Sequence, residues 1–96
     1  MDDATFRRVA GEPHQQPLIY RGHTHFIRGV AWSPNGQRIA SASGDGTVQI
    51  WKAATGHKQL SYRGHAGVVW DIAWSPDGRR IASGGQDGTV QVWRAE

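Results

Sequence analysis

The apolar positions of this chain fall in short runs of β-branched and aromatic residues, each cut off by Pro, Asn, Asp or Gly. Residues 47–51 read Thr, Val, Gln, Ile, Trp, an alternation with the period of two that marks a strand with unlike faces. Residues 26–33 and 37–43 are similar runs on either side of Pro34-Asn35-Gly36. Pro presets the first central position of a turn there, and Gly takes the left-handed one. Asp45-Gly46 then joins residues 37–43 to 47–51 as a tight hairpin. Thr55-Gly56 supplies the next turn, and residues 58–62 a further strand. Upstream, residues 17–20 form a short apolar run after a proline and read as another strand, ending at Gly22-His23.

The pattern then repeats. Residues 20–51 match residues 62–93 at a constant offset of 42, with no insertion or deletion. The second copy predicts strands over 68–75, 79–84 and 89–93. A period of about 40–45 residues, with Gly-His early, Asp-Gly late and Trp at the end, is the mark of a four-stranded propeller blade. The predicted fold is all-β: two four-stranded antiparallel blades forming a partial β-propeller, the second lacking its own outer strand. The division is a polar leader over 1–16, expected to be flexible, an outer strand plus first repeat over 17–61, and a second repeat over 62–96.

Composition narrows the picture. The 96 residues contain no Cys, which excludes disulfides, Cys-ligated zinc and thiol catalysis. Net charge is +3, and Arg7-Arg8 and Arg79-Arg80 are the only adjacent basic pairs, so nucleic acid is a weak expectation. No apolar run approaches the roughly 18 to 20 residues of a membrane span. The first 17 residues have no apolar core of a secretory signal. A cytoplasmic location away from membranes is the expectation.

The matched residues resemble the WD40 repeat family. The resemblance rests on Gly22-His23 and Gly64-His65, on Ala31-Trp32-Ser33-Pro34 and Ala73-Trp74-Ser75-Pro76, on the Ile-Ala-Ser strand, on the Asp-Gly-Thr hairpins and on Trp51 and Trp93. Its regularity is similar to that of the highly self-similar bacterial members. Trp51-Lys52 and Trp93-Arg94 depart from the Trp-Asp that names the family. The resemblance implies a structural tetrad in each repeat: His23, Ser41, Asp45 and Trp51, then His65, Ser83, Asp87 and Trp93. It also implies contact positions for a partner on one rim, which map to Phe26, Arg28, Gly44, Val68, Trp70 and Gln86.

Ser, His and Asp together suggest a catalytic triad, but a nucleophile must face a cleft with an oxyanion hole beside it. Both serines fall in mid-strand, each committed to a Trp, and the set occurs twice, as scaffolding does. His23, His25 and His65 do not make a metal site, because Gly67 replaces His25 in the second copy and no third ligand sits at suitable spacing. The glycines fall at turns, so no phosphate loop is present. The expectation is therefore a protein without catalytic residues, metal or cofactor. Arg38, Arg79 and Arg80 flank strand starts and read as solvated. Trp32 and Trp74 repeat and read as packing between blades. Trp70 does not repeat, since Arg28 is its counterpart.

The function these readings support is a non-catalytic protein–protein interaction scaffold that needs assembly into a closed propeller. Its partners would be an unidentified protein together with further copies of itself, or the rest of a larger propeller. The rivals are a basic ring that binds nucleic acid or another polyanion, and an unstable fragment of a longer WD40 protein.

Overall fold

A computed structural model describes residues 17–96; the expected leader over 1–16 lies outside them. Seven strands follow the turn residues: β1 (Ile27–Trp32), β2 (Arg38–Ser43), β3 (Val48–Lys52), β4 (Lys58–Tyr62), β5 (Val69–Trp74), β6 (Arg80–Gly85) and β7 (Val90–Arg94). They form two antiparallel sheets, ordered β1-β2-β3-β4 and β5-β6-β7. No helix occurs among the described residues. The fold is two blades of a propeller, the second with three strands.

The turns work as their sequences require. Asn35 Oδ1 accepts from the Ser33 hydroxyl at 2.8 Å and the Gln37 amide at 3.0 Å, and Gly36 follows at φ 74°. Asp77 does the same with Ser75 and Arg79. Residues 17–20 are a correction: they were expected as a strand and are not one. A strand needs a neighbour for its backbone hydrogen bonds, and the first sheet is complete without them. Tyr20 is held by its side chain instead. Its ring stacks on Trp51 at 4.7 Å, and its hydroxyl donates to Gln49 Oε1 at 2.7 Å.

The core lies between the blades. Val48 and Ile50 alternate with Gln49 along β3 and share one face, which packs with Ala40 and Ala42 against Val69, Ile81 and Trp93 of the second blade. Trp74 crosses the junction and donates its indole N–H to Ala31 O at 3.0 Å. Arg38 lies over the Trp74 ring, 4.9 Å from its centre, and donates to Gly78 O at 3.0 Å and to Ala95 O. Arg38 is thus not a solvated residue. A guanidinium presents several donors in a rigid plane, and this one bolts the first blade to the second. Arg79 and Arg80 are exposed. Trp32, the counterpart of Trp74, is also exposed, because no blade covers its side of the first sheet among the described residues.

Candidate functional site

Each blade carries a chain of polar side chains that runs from the closing Trp to the hairpin Asp. In the first, the Trp51 indole donates to Ser41 Oγ at 3.4 Å, Ser41 meets His23 Nε2 at 2.7 Å, and His23 Nδ1 meets Asp45 at 2.9 Å. In the second, the Trp93 indole donates to Ser83 at 2.9 Å, Ser83 meets His65 Nε2 at 2.8 Å, and His65 Nδ1 meets Asp87 at 3.2 Å. An ionised carboxylate only accepts, so Nδ1 carries the proton. Nε2 then accepts from the Ser hydroxyl, which leaves the Ser oxygen free to accept from the indole. Every donor has an acceptor. The chain ties the loop before strand one of each blade to the hairpin between strands two and three.

Neither carboxylate is held by His alone. Thr47 donates its hydroxyl to Asp45 at 2.6 Å and its amide at 2.9 Å, and the Thr24 amide donates at 3.1 Å. Burial works against ionisation of Asp45, but these hydrogen bonds from Thr47, Thr24 and His23 outweigh it and hold the carboxyl well below its usual range. For Asp87 the Thr89 hydroxyl leads, joined by the Ala66 and Thr89 amides and His65, with the same downward direction. Ser41 and Ser83 are buried and bonded to an indole, a geometry that braces a sheet and does not present a nucleophile to solvent. Among the described residues, no group of three or more His, Cys, Asp or Glu is placed to hold a metal ion.

Sequence reasoning missed an aromatic brace beside each chain. Tyr62 stacks on Trp93 at 4.2 Å and its hydroxyl bonds to Gln91, as Tyr20 does with Trp51 and Gln49. This explains the Gly of each Gly-His pair. A Cβ on Gly22 or Gly64 would run into the Tyr hydroxyl and the Gln amide oxygen. The signal was available: Tyr20/Tyr62 and Gln49/Gln91 recur at the same offset of 42.

The rim positions sit where strands β1 and β5 begin. Both strands slip register there, between Ile27 and Gly29 and between Val69 and Asp71. Arg28 and Trp70 are the extra residues of these bulges. A bulge re-aims its side chain, and the two meet: the Arg28 guanidinium lies 4.6 Å from the centre of the Trp70 ring. Phe26 and Trp70 are exposed. Gly44 donates its amide to Phe26 O at 2.9 Å, and a Cβ on it would strike the Phe26 ring. Gln86 donates its amide to Val68 O at 2.8 Å and accepts from the Val68 amide at 3.2 Å. Gly44, Val68 and Gln86 therefore shape the backbone of the rim, whereas the side chains of Phe26, Arg28 and Trp70 lie exposed on it.

Two blades, each with a polar chain from Trp to Asp, define a repeat protein of the propeller class. The family model described as "WD domain, G-beta repeat" matches residues 14–52 and 56–94, and the chain belongs to this WD40 family. It is 50% identical over 44 residues to a "Ribosome biogenesis protein BOP1 homolog" of Drosophila virilis and to one of Drosophila grimshawi. It is 49% identical over 43 residues to "Ribosome biogenesis protein BOP1" of Rattus norvegicus. These matches cover 46%, 46% and 45% of this chain, and the chain spans only 6% of the length of each relative.

Proposed function

We propose that the protein is a non-catalytic interaction scaffold that binds a protein partner through the rim formed by Phe26, Arg28 and Trp70. The observation that carries this reading is the pair of bulges, which bring an unrepeated Trp and an Arg from different blades into contact at the surface. Trp and Arg are the residue types enriched at interface hot spots. Membership of a family built for display of such surfaces supports the reading. The likeness to the ribosome biogenesis proteins supports the repeat as a building block; at 6% of their length it does not extend to their role.

The test is selection of displayed peptides against the chain, followed by affinity measurement on variants. Trp70→Ala is expected to weaken the selected ligands about 30-fold, the equivalent of a hot spot of ~2 kcal/mol. Lys58→Ala, at the exposed start of β4, is the control. Ligands that bind Trp70→Ala and the unmodified chain equally would overturn the proposal. Binding that goes instead to heparin, and is lost steeply with salt, would favour a polyanion ligand.

A further inference from the structure

The junction between the two blades contains its own template for a second junction. On the first blade, Val48 and Ile50 are each 0% exposed beneath the second blade; their counterparts on the second, Val90 and Val92, are 74% and 63% exposed. On the other side the relation reverses. Val69 of the second blade is 0% exposed against the first, and its counterpart Ile27 is 49% exposed. Trp32 and Val30 lie open on that same side, where Trp74 and Ile72 are half-buried. The chain thus carries two open apolar faces, and each repeats the residues of one half of its internal junction.

The polar fittings repeat as well. Arg38 grips Trp74, Gly78 O and Ala95 O across the junction. Arg80 is the counterpart of Arg38 and is exposed, while Trp32, Gly36 and Ala53 are the counterparts of its three targets. We infer that the open face of the second blade docks onto the open face of the first blade of a second copy of this chain, with Arg80 as the clamp. Arg80 covers Trp32 of the second copy and donates to its Gly36 and Ala53 carbonyls. Trp32 of the second copy donates its indole N–H to Ala73 O, as Trp74 does to Ala31 O.

The outer edge of β7, which pairs with no strand among the described residues, completes the junction. In the first blade β3 pairs with β4 through Val48↔Tyr62, Gln49↔Ser61 and Ile50↔Leu60. The same register on β7 places Val90 opposite Tyr20, Gln91 opposite Ile19 and Val92 opposite Leu18 of the second copy. This gives residues 17–20 the strand partner they lack among the described residues. Exposed strand edges and apolar faces are driving features for association, and a contact that joins unlike faces continues head to tail until it closes. The inference takes up the closed-propeller part of the scaffold reading, and it does not depend on the rim.

Two measurements test it on the full chain. In sedimentation velocity, the unmodified chain is expected to run as a discrete oligomer of the 10.5 kDa protomer and Arg80→Glu as a single protomer with unchanged near-ultraviolet dichroism. An unmodified chain that stays a single protomer at every concentration overturns the inference, as does an oligomer that Arg80→Glu leaves intact. The chain has no Cys, so introduced thiols report one contact only. Leu18→Cys and Val92→Cys chains, mixed and oxidised, are expected to form one cross-linked pair that neither forms alone, because directly opposed strand residues suit disulfide geometry. Absence of that pair, or equal cross-linking of each variant with itself, overturns the register. Peptide binding by the rim of an Arg80→Glu chain would show the scaffold reading surviving the loss of assembly.

Discussion

Trp93 and Trp51 occupy equivalent places in their blades, and the structure gives them unequal surroundings. Trp93 is 9% exposed, sealed between the blades, stacked on Tyr62 and bonded to Ser83 at 2.9 Å. Trp51 is half-buried, covered on one side by Tyr20, with a longer bond of 3.4 Å to Ser41. A Trp buries on the order of 150–250 Å². At ~25 cal/mol per Å² this is about 4–6 kcal/mol as an upper bound. Large-to-small changes at such sites cost ~3–5 kcal/mol. Trp93→Ala is therefore expected to cost ~3–5 kcal/mol, and Trp51→Ala, more exposed and with the longer bond to Ser41, roughly 2–4 kcal/mol. At ~4–8 °C per kcal/mol for a domain of this size, the midpoints should fall by about 12–40 °C and about 8–32 °C. The assay is thermal or urea unfolding followed by near-ultraviolet dichroism in an Arg80→Glu background, which keeps the outer face of the first blade uncovered. Equal losses there would refute the reasoning, because burial by the neighbouring blade would not be what sets the cost. Without Arg80→Glu, docking of a second copy covers Trp51 and the two costs should converge.

Acid should loosen the hairpins. The carboxyls of Asp45 and Asp87 are held below their usual range in the folded chain, so the stability they contribute is complete above the unfolded value near pH ~4 and is lost as pH falls below it. A midpoint measured from pH 7 downward should drop below pH ~4, and Asp87→Asn should show a shallower drop; parallel curves would contradict this. Gly64→Ala should cost ~1–3 kcal/mol by forcing a Cβ into the Tyr62 hydroxyl, and Tyr62→Phe should relieve part of that cost in the double variant. Strict additivity in urea melts would show that the two side chains do not compete for the same space.

The strands were legible because each is bounded by a turn whose residues have one conformational use. Pro34-Asn35-Gly36 and Asp45-Gly46 mark their boundaries to within a residue or two. The Trp, Ser, His and Asp of each blade were nominated by the resemblance to WD40 repeats, and the hydrogen bonds among them run from Trp through Ser and His to Asp. Three features were not legible. The bulges at Arg28 and Trp70 depend on how strands one and two pair, which no local pattern encodes. The burial of Arg38 depends on what the next blade brings, since Arg80 in the same sequence context remains exposed. Residues 17–20 carry a strand-like pattern, yet a pattern becomes a strand only where an edge is within reach. In each case the missing information lies in a neighbouring strand or blade and not in the residue itself.

The measurement that tests the head-to-tail junction most directly is the number of copies in the native particle, read by mass spectrometry of the intact assembly. Closure of two-blade units is expected to give a single species of three or four copies, hence six or eight blades, within the roughly 4 to 8 blades of propellers. A population of single chains, or a ladder of lengths with no preferred member, would contradict it.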